Sequence, residues 1–266
     1  NSVIEPTGYT TCLVQMADVE ADEQGLARVF REQVLDGVIV HAALLPEARR
    51  NLDTITDRIV WCDAGIEEPT WCLWRDEVAA GRLVGQAVVA AGYRRILFVH
   101  SEGNKRRPYH HAERRARGIC EAGEAAGISV ENLTVSRHRA EARPQLLACL
   151  DPDTALVAVD FTHAEDILMT ATANGWCPGV HFALASCDDR MWYYQRWPHL
   201  TRARFDRFHM GRVAAKMMTE RLEHPENPMP SHIEKPALIP GTDGKPYLAP
   251  TLVPRDQLKE KEEPNR

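Results

Sequence analysis

Acidic residues stand directly after short apolar runs in three places: Asp63 after Ile59-Val-Trp-Cys62, Asp160 after Ala155-Leu-Val-Ala-Val159, and Asp188 with Asp189 after Phe182–Cys187. His100 and Ser101 follow Ile96-Leu-Phe-Val99 in the same manner. An ionised carboxylate accepts hydrogen bonds through both oxygens, so it grips adjacent hydroxyls of a small polar molecule. Trp71 or Trp74 could cover an apolar face of such a ligand. Each aspartate alone serves equally well as a helix N-cap; the recurrence is what points to a ligand. Other chemistry is missing from the sequence. It has no Gly-x-Gly-x-x-Gly, Walker loop, His-Glu-x-x-His or Gly-x-Ser-x-Gly. No nucleophile stands with its base, so no enzyme is expected. His110-His111 lacks a third ligand, Asp188-Asp189 reads as an ordinary acidic pair, and Gly241-Thr-Asp-Gly-Lys245 reads as a turn. No metal and no cofactor are expected.

These groups gain meaning from the elements that carry them. Strand-like runs recur at Thr10–Gln15, Val38–Val40, Arg58–Cys62, Arg95–Val99, Leu133–Ser136, Ala155–Val159 and Phe182–Ser186. Helical stripes lie between most of them: Leu26, Val29, Phe30 and Val34; Leu83 to Ala91 before Gly92; Ile119 to Ala126 before Gly127; and Ile167 to Ala171 before Gly175. Glycine just past each stripe accepts the left-handed conformation that ends a helix. Strand–helix alternation with uninterrupted apolar strands predicts parallel sheets covered by helices on both faces. Ligands of such sheets bind beyond the carboxyl ends of the strands, where the acidic groups stand.

The rhythm breaks around Glu67–Trp74 and around Trp192–Arg204, and prolines dominate after Leu222. The fold class expected is α/β: two doubly wound parallel-sheet lobes joined by three crossovers, with a ligand cleft between them. The first lobe is expected to hold residues 1–73 and 201–227, the second 74–200 and 228–257, with 258–266 a flexible tail. Val3 and Ile4 read as the end of a helix whose preceding strand is absent, so the chain looks cut at its start.

Composition limits the setting. A net charge of −6 argues against a chain that as a whole grips nucleic acid. No run nears the ~18 apolar residues of a membrane span, and the first residues lack a basic, then apolar, leader. Cys12, Cys62, Cys72, Cys120, Cys149, Cys177 and Cys187 stand singly, with no Cys-x-x-Cys. They are expected to be reduced thiols acting as small hydrophobes in a cytoplasmic protein.

The ordered set of segments resembles the effector-binding core of the lac-repressor/purine-repressor family of bacterial transcription regulators. The segments are Val34-Leu-Asp-Gly-Val-Ile-Val40, Ile59-Val-Trp-Cys-Asp63, Asp76-Glu-Val-Ala-Ala-Gly-Arg82 and Gly92-Tyr-Arg-Arg-Ile-Leu-Phe-Val99. They continue with Arg115-Ala-Arg-Gly118, Ala155 to Asp160, Ala185-Ser-Cys-Asp-Asp189, Leu200-Thr-Arg-Ala, Met210-Gly-Arg212 and Leu252-Val-Pro-Arg-Asp256. The resemblance implies a periplasmic-binding-protein-like type I fold. It also implies an effector held by Asp63, Arg115 and Asp188, joined more loosely by Asp160, Tyr109, His111, Cys72, Trp74, Arg139, Phe205 and Arg207. A guanidinium and carboxylates fix a polyol or purine through paired hydrogen bonds. The sequence departs from the resemblance at Val159-Asp160, where the family usually has Asn-Asp.

The function implied is the sensing core of a regulator, a repressor in the first instance, that binds a sugar, sugar acid or similar metabolite. It would act as a homodimer and reach operator DNA through a helix-turn-helix domain expected to precede Asn1. The alternative is a solute-binding protein of a sugar transporter with the same fold.

Overall fold

The computed structural model describes residues 3–13, 32, 35–41, 46–101, 110–136, 138–189 and 200–239. The chain divides into two compact units: the first ends its opening segment at Asp76 and returns for Asp206–Lys235, and the second takes most of Glu77 to Phe205 and resumes at Pro236. Both are α/β, with six α-helices among the described residues.

In the first unit β1 (Val38–Val40), β2 (Ile59–Cys62), β3 (Cys72–Arg75) and β9 (His232–Glu234) form one sheet in that order, every pair parallel. β2 is buried along its whole length and runs without polar interruption, as a central strand covered on both faces must. Helix α1 (Pro46–Ile55) lays Leu52 onto Ile59, Trp61, Ala64 and Cys72, and α6 (Arg207–Glu223) packs on β1, β2 and β3.

In the second unit β4 (Arg95–Ser101), β5 (Ser129–Val135), β6 (Thr154–Ala158), β7 (Ala183–Ser186), β8 (Thr201–Arg204) and β10 (Ala237–Ile239) form a sheet ordered β10-β8-β7-β6-β4-β5. Only the β10–β8 pair is antiparallel. One face carries Leu97, Val99, Leu156, Ala158 and Leu184 against α4 (Arg139–Leu147) and α5 (Phe161–Ala173). Helix α2 (Glu77–Ala90) packs on β6, β7 and β8, with α3 (His110–Ala125) beside it. Gly92, Gly127 and Gly175 all take positive φ, as helix-ending glycines should.

Several expectations need correcting. Thr201–Arg204 was expected in the first lobe, but it pairs with β7 and β10 in the second unit's sheet, so the first unit resumes at Asp206. His232–Glu234 was expected in the second lobe, but it pairs with β3 in the first unit. Thr10–Leu13 is not a strand, and Val3–Ile4 leads into a single 3-10 turn, Glu5–Thr7, closed by Thr7 Oγ1 donating to the Ile4 carbonyl at 2.6 Å. The stripe from Leu26 to Val34, the Gly241–Lys245 turn and the tail 258–266 lie outside the described residues.

Helices α2 and α3 meet backbone to backbone. A Cβ on Gly81 would sit 2.0 Å from the Arg115 carbonyl oxygen, and one on Gly118 2.0 Å from that of Val78. Only hydrogen fits at either place, and this approach sets where Arg115 stands. Gly118→Ala is therefore expected to lower stability by the ~1–3 kcal/mol typical of overpacking, or more, because the obstacle is backbone. Urea unfolding checks this; a melting curve unchanged by the substitution would contradict the close approach.

Candidate functional site

The second unit is organised at its strand ends by Arg115. Carried on α3, its side chain is only 1% exposed and spans three separate segments. Its Nε donates to Glu77 Oε2 at 2.7 Å, Nη1 to the Val159 carbonyl at 2.5 Å, and Nη2 to Asp188 Oδ2 at 3.3 Å. Glu77 opens α2 and is itself buried; Val159 follows β6 and Asp188 follows β7. Burial opposes the guanidinium charge, but the charges of Glu77 and Asp188 and the Glu77 hydrogen bond outweigh it, so Arg115 is held above its ordinary value. Its charge is permanent at any working pH.

Asp188 is fixed from both sides. Its Oδ1 accepts from the Asp189 N–H at 2.8 Å, and Ser186 Oγ donates to its carbonyl at 2.7 Å. Asp189 faces inward instead and draws Arg202 Nε to 3.4 Å and Arg204 Nε to 3.7 Å. Between Ser186 and Asp188, Cys187 is wholly buried; burial pushes its thiol up to about 12, the nearby carboxylates add to this, and Arg115 opposes it. Asp160 is the N-cap of α5, accepting on Oδ1 from the His163 N–H at 3.0 Å and from its Nδ1 at 2.8 Å. Burial alone would raise this carboxyl, but those His163 contacts, with help from Arg115, hold it well below the usual carboxylate range.

In the first unit Asp63 leaves β2 in the left-handed conformation, φ 51°, and Trp71 enters β3 at φ 56°. An aspartate tolerates that region; for tryptophan it is an outlier held by its surroundings. Asp63 Oδ1 accepts from Arg75 Nε at 2.8 Å, and His41 Nε2 lies 3.7 Å from Oδ2. Trp71 was expected to be available to cover a ligand, yet it is buried, with the Arg221 guanidinium 4.8 Å above its ring. Trp74 is half-buried against the first unit's apolar cluster. Cys72 is buried, its Sγ donating to the Ile66 carbonyl at 2.8 Å. Burial also lifts the Cys62 thiol to about 12, with Asp63 adding to the shift.

The structure thus brings Arg115, Asp188 and Asp160 together in the second unit, and sets Asp63, Cys72 and Trp74 around the end of β2 in the first. His111 lies half-buried on α3, Arg139 opens α4, Phe205 is buried beyond β8, and Arg207 opens α6 half-buried. Tyr109 lies outside the described residues. Sequence reasoning missed Glu77 as the partner of Arg115, since it was visible only as the acidic start of a helix. Among the described residues, His209, His232 and Glu234 of the first unit bring three metal-type ligand atoms within 4.8 Å of one another.

The sequence matches the profile of the periplasmic binding protein-like domain over residues 86–242, more than half of its length. The chain belongs to this family. No curated protein matches it in sequence. Solved structures repeat the family's fold. A transcription regulator-like protein from Staphylococcus haemolyticus superposes with a TM-score of 0.77 at 14% identity, over 90% of this chain and 86% of that one. A transcriptional regulator LacI from Bacillus cereus subsp. cytotoxis NVH 391-98 gives 0.76 at 18% identity, over 90% and 87%. A LacI-family regulator from Enterococcus faecium with bound ribose gives 0.73 at 16% identity, over 89% and 88%. In this periplasmic-binding-protein-like chain, Asp188 follows a parallel strand of the second unit and Asp63 one of the first.

Two outcomes follow from the site's charges. Arg115→Met strands Glu77 and Asp188 without their cation, and breaking a buried pair costs about 3–5 kcal/mol. Adding Glu77→Gln to that variant is expected to recover part of the loss in urea unfolding, because it removes one stranded charge. Asp160 has a depressed folded value, so its stabilisation is complete above the ordinary carboxylate value of about 4 and is lost as pH falls through the folded one. Asp160→Asn keeps the cap but not the charge; it should melt below the wild type at pH 7, and the two curves should converge in strong acid.

Proposed function

We propose that this chain is the effector-sensing core of a bacterial transcription regulator, in the first instance a repressor. It takes a small hydroxyl-rich metabolite, a sugar or sugar derivative, and controls operator DNA through a helix-turn-helix domain outside this sequence. The observation that carries the reading is the acidic group beyond the carboxyl end of three parallel strands, Asp63 after β2 in the first unit and Asp160 after β6 and Asp188 after β7 in the second. Their side chains are 21%, 22% and 12% exposed, so each is anchored by a partner yet reachable.

The role of Arg115 differs from direct contact. With 1% of its side chain exposed and all three nitrogens engaged, it acts as a positioning residue that aims Asp188. Asp188, aimed in this way, is then a group that accepts from ligand hydroxyls, and Asp63 offers the same chemistry within the first unit. Arg75, Arg202 and Arg204 each lie beside a carboxylate of the chain. Arginines neutralised in this way favour a neutral polyol over an anion. The bound ribose of the Enterococcus faecium regulator supports a sugar-sized ligand for this fold.

Control of DNA is a population shift. The effector must bind one arrangement of the protein better than another, and only that difference in affinity moves the equilibrium. A cytoplasmic homodimer presenting two recognition helices to two half-sites turns a small rearrangement into loss of operator binding, because half-site spacing is fixed by the DNA helix.

Calorimetric titration with pentoses, hexoses, sugar acids and nucleobases tests the reading. A sugar is expected to bind, and Asp63→Asn and Asp188→Asn are each expected to weaken it by roughly 10–150-fold, the worth of a hydrogen bond to a charged group. A sugar affinity that survives both substitutions would contradict the assignment, and so would binding confined to nucleobases.

A further inference from the structure

We infer that His209, His232 and Glu234 form a binding site for a divalent transition-metal ion, zinc being the best fit. The three come from distant stretches of sequence that the first unit joins. His209 lies in the first turn of α6, and its backbone N–H is held by Asp206 Oδ1 at 2.8 Å. His232 and Glu234 are alternate residues of β9, so both side chains leave the same face of the strand.

The distances suit a small ion. Glu234 Oε2 lies 3.3 Å from His232 Nε2 and 3.9 Å from His209 Nε2, and the imidazoles meet edge to face with centroids 5.5 Å apart. Tetrahedral zinc with bonds of about 2.0–2.2 Å sets its donors roughly 3.3–3.5 Å apart. One edge of the triangle already has that length, and the other two close by small rotations of the imidazoles. Those rings are 44% and 37% exposed and have room to turn, whereas the carboxylate is 9% exposed and fixed.

Charge points the same way. A buried carboxylate is costly unless a cation answers it. Among the described residues the groups ion-paired with Glu234 are these two imidazoles, which carry charge only when protonated, while Arg75, its register partner on β3, gives its Nε to Asp63 Oδ1 at 2.8 Å. Lys235 is turned to Asp76, with Nζ 2.5 Å from its Oδ2. A divalent ion supplies the missing charge while leaving both imidazoles neutral, the form that ligates. Two nitrogens and one oxygen select zinc or a neighbouring transition metal over calcium or magnesium, which want oxygen throughout. The exposed side leaves a position for water or a further ligand.

The placement gives the site a consequence. The chain enters the first unit at Asp206 and leaves it after Lys235, so the ligands sit at the two ends of this returning segment. A bound ion pins the start of α6 to β9 and closes the segment on itself.

The test is titration of the full, chelator-treated chain with Zn²⁺ by calorimetry and with Co²⁺ by visible absorption. One saturable Zn²⁺ per chain is expected, with a Co²⁺ spectrum free of thiolate charge-transfer bands. His209→Gln and Glu234→Gln should each weaken binding at least as much as loss of an outer-shell partner does, ~10–100-fold. His224→Ala, another half-exposed histidine of this unit, should leave it unchanged. His209 is half-exposed, so its variant folds and keeps the test decisive should Glu234→Gln disturb the strand. No saturable binding, an affinity unmoved by His209→Gln, or a thiolate band in the Co²⁺ spectrum would overturn the site.

Discussion

One buried guanidinium holds the strand ends of the second unit together. Arg115 reaches the start of α2 through Glu77, the end of β6 through the Val159 carbonyl and the end of β7 through Asp188. A planar fork with several donors can join three segments at once, which an ammonium on a flexible stem cannot do. The cost of removing the charge from water is met only because two carboxylates and a carbonyl surround it. Its placement depends in turn on Gly81 and Gly118, which let α2 and α3 approach until backbone touches backbone.

The same chemistry recurs with other partners. Asp63 is held by Arg75, Asp160 by His163, and Asp189 by Arg202 and Arg204. Each acidic group therefore stands in a set orientation, which is what a small hydroxyl-bearing ligand needs if its binding is to be specific. The thiols beside them take no part: burial keeps Cys62 and Cys187 protonated, so they fill space as small apolar groups.

The fold was legible wherever strands were apolar and helices ended in glycine. β1, β2, β4, β6 and β7 lie where their runs predict, and the acidic residues following β2, β6 and β7 lie at their carboxyl ends. Asp160 is also the helix cap that its position after a strand equally allowed. What stayed hidden depends on partners far away in sequence. β3 begins after a left-handed tryptophan and lies between β2 and the distant β9, a geometry no local pattern announces. β8 reads Thr-Arg-Ala-Arg, too charged to look like a buried strand, yet its first three residues are buried, Arg202 being answered there by Asp189. Glu77 gave no sign of facing Arg115, since nothing local joins two residues of different helices. The exchange of Thr201–Arg204 and His232–Glu234 between the expected lobes has the same origin, because strand partners rather than composition decide where a short segment belongs.

The central physical claim is that Arg115 is the joint on which the orientation of Asp188 rests. Hydrogen exchange of the native chain beside Arg115→Lys tests it most directly, because lysine keeps the charge and loses the fork. Faster exchange is predicted at Val159, at Cys187 to Asp189 and in the first turn of α2, with the β4–β5 ladder as protected as before. Equal protection at those strand ends in both proteins, or a uniform loss throughout the second unit, would contradict it.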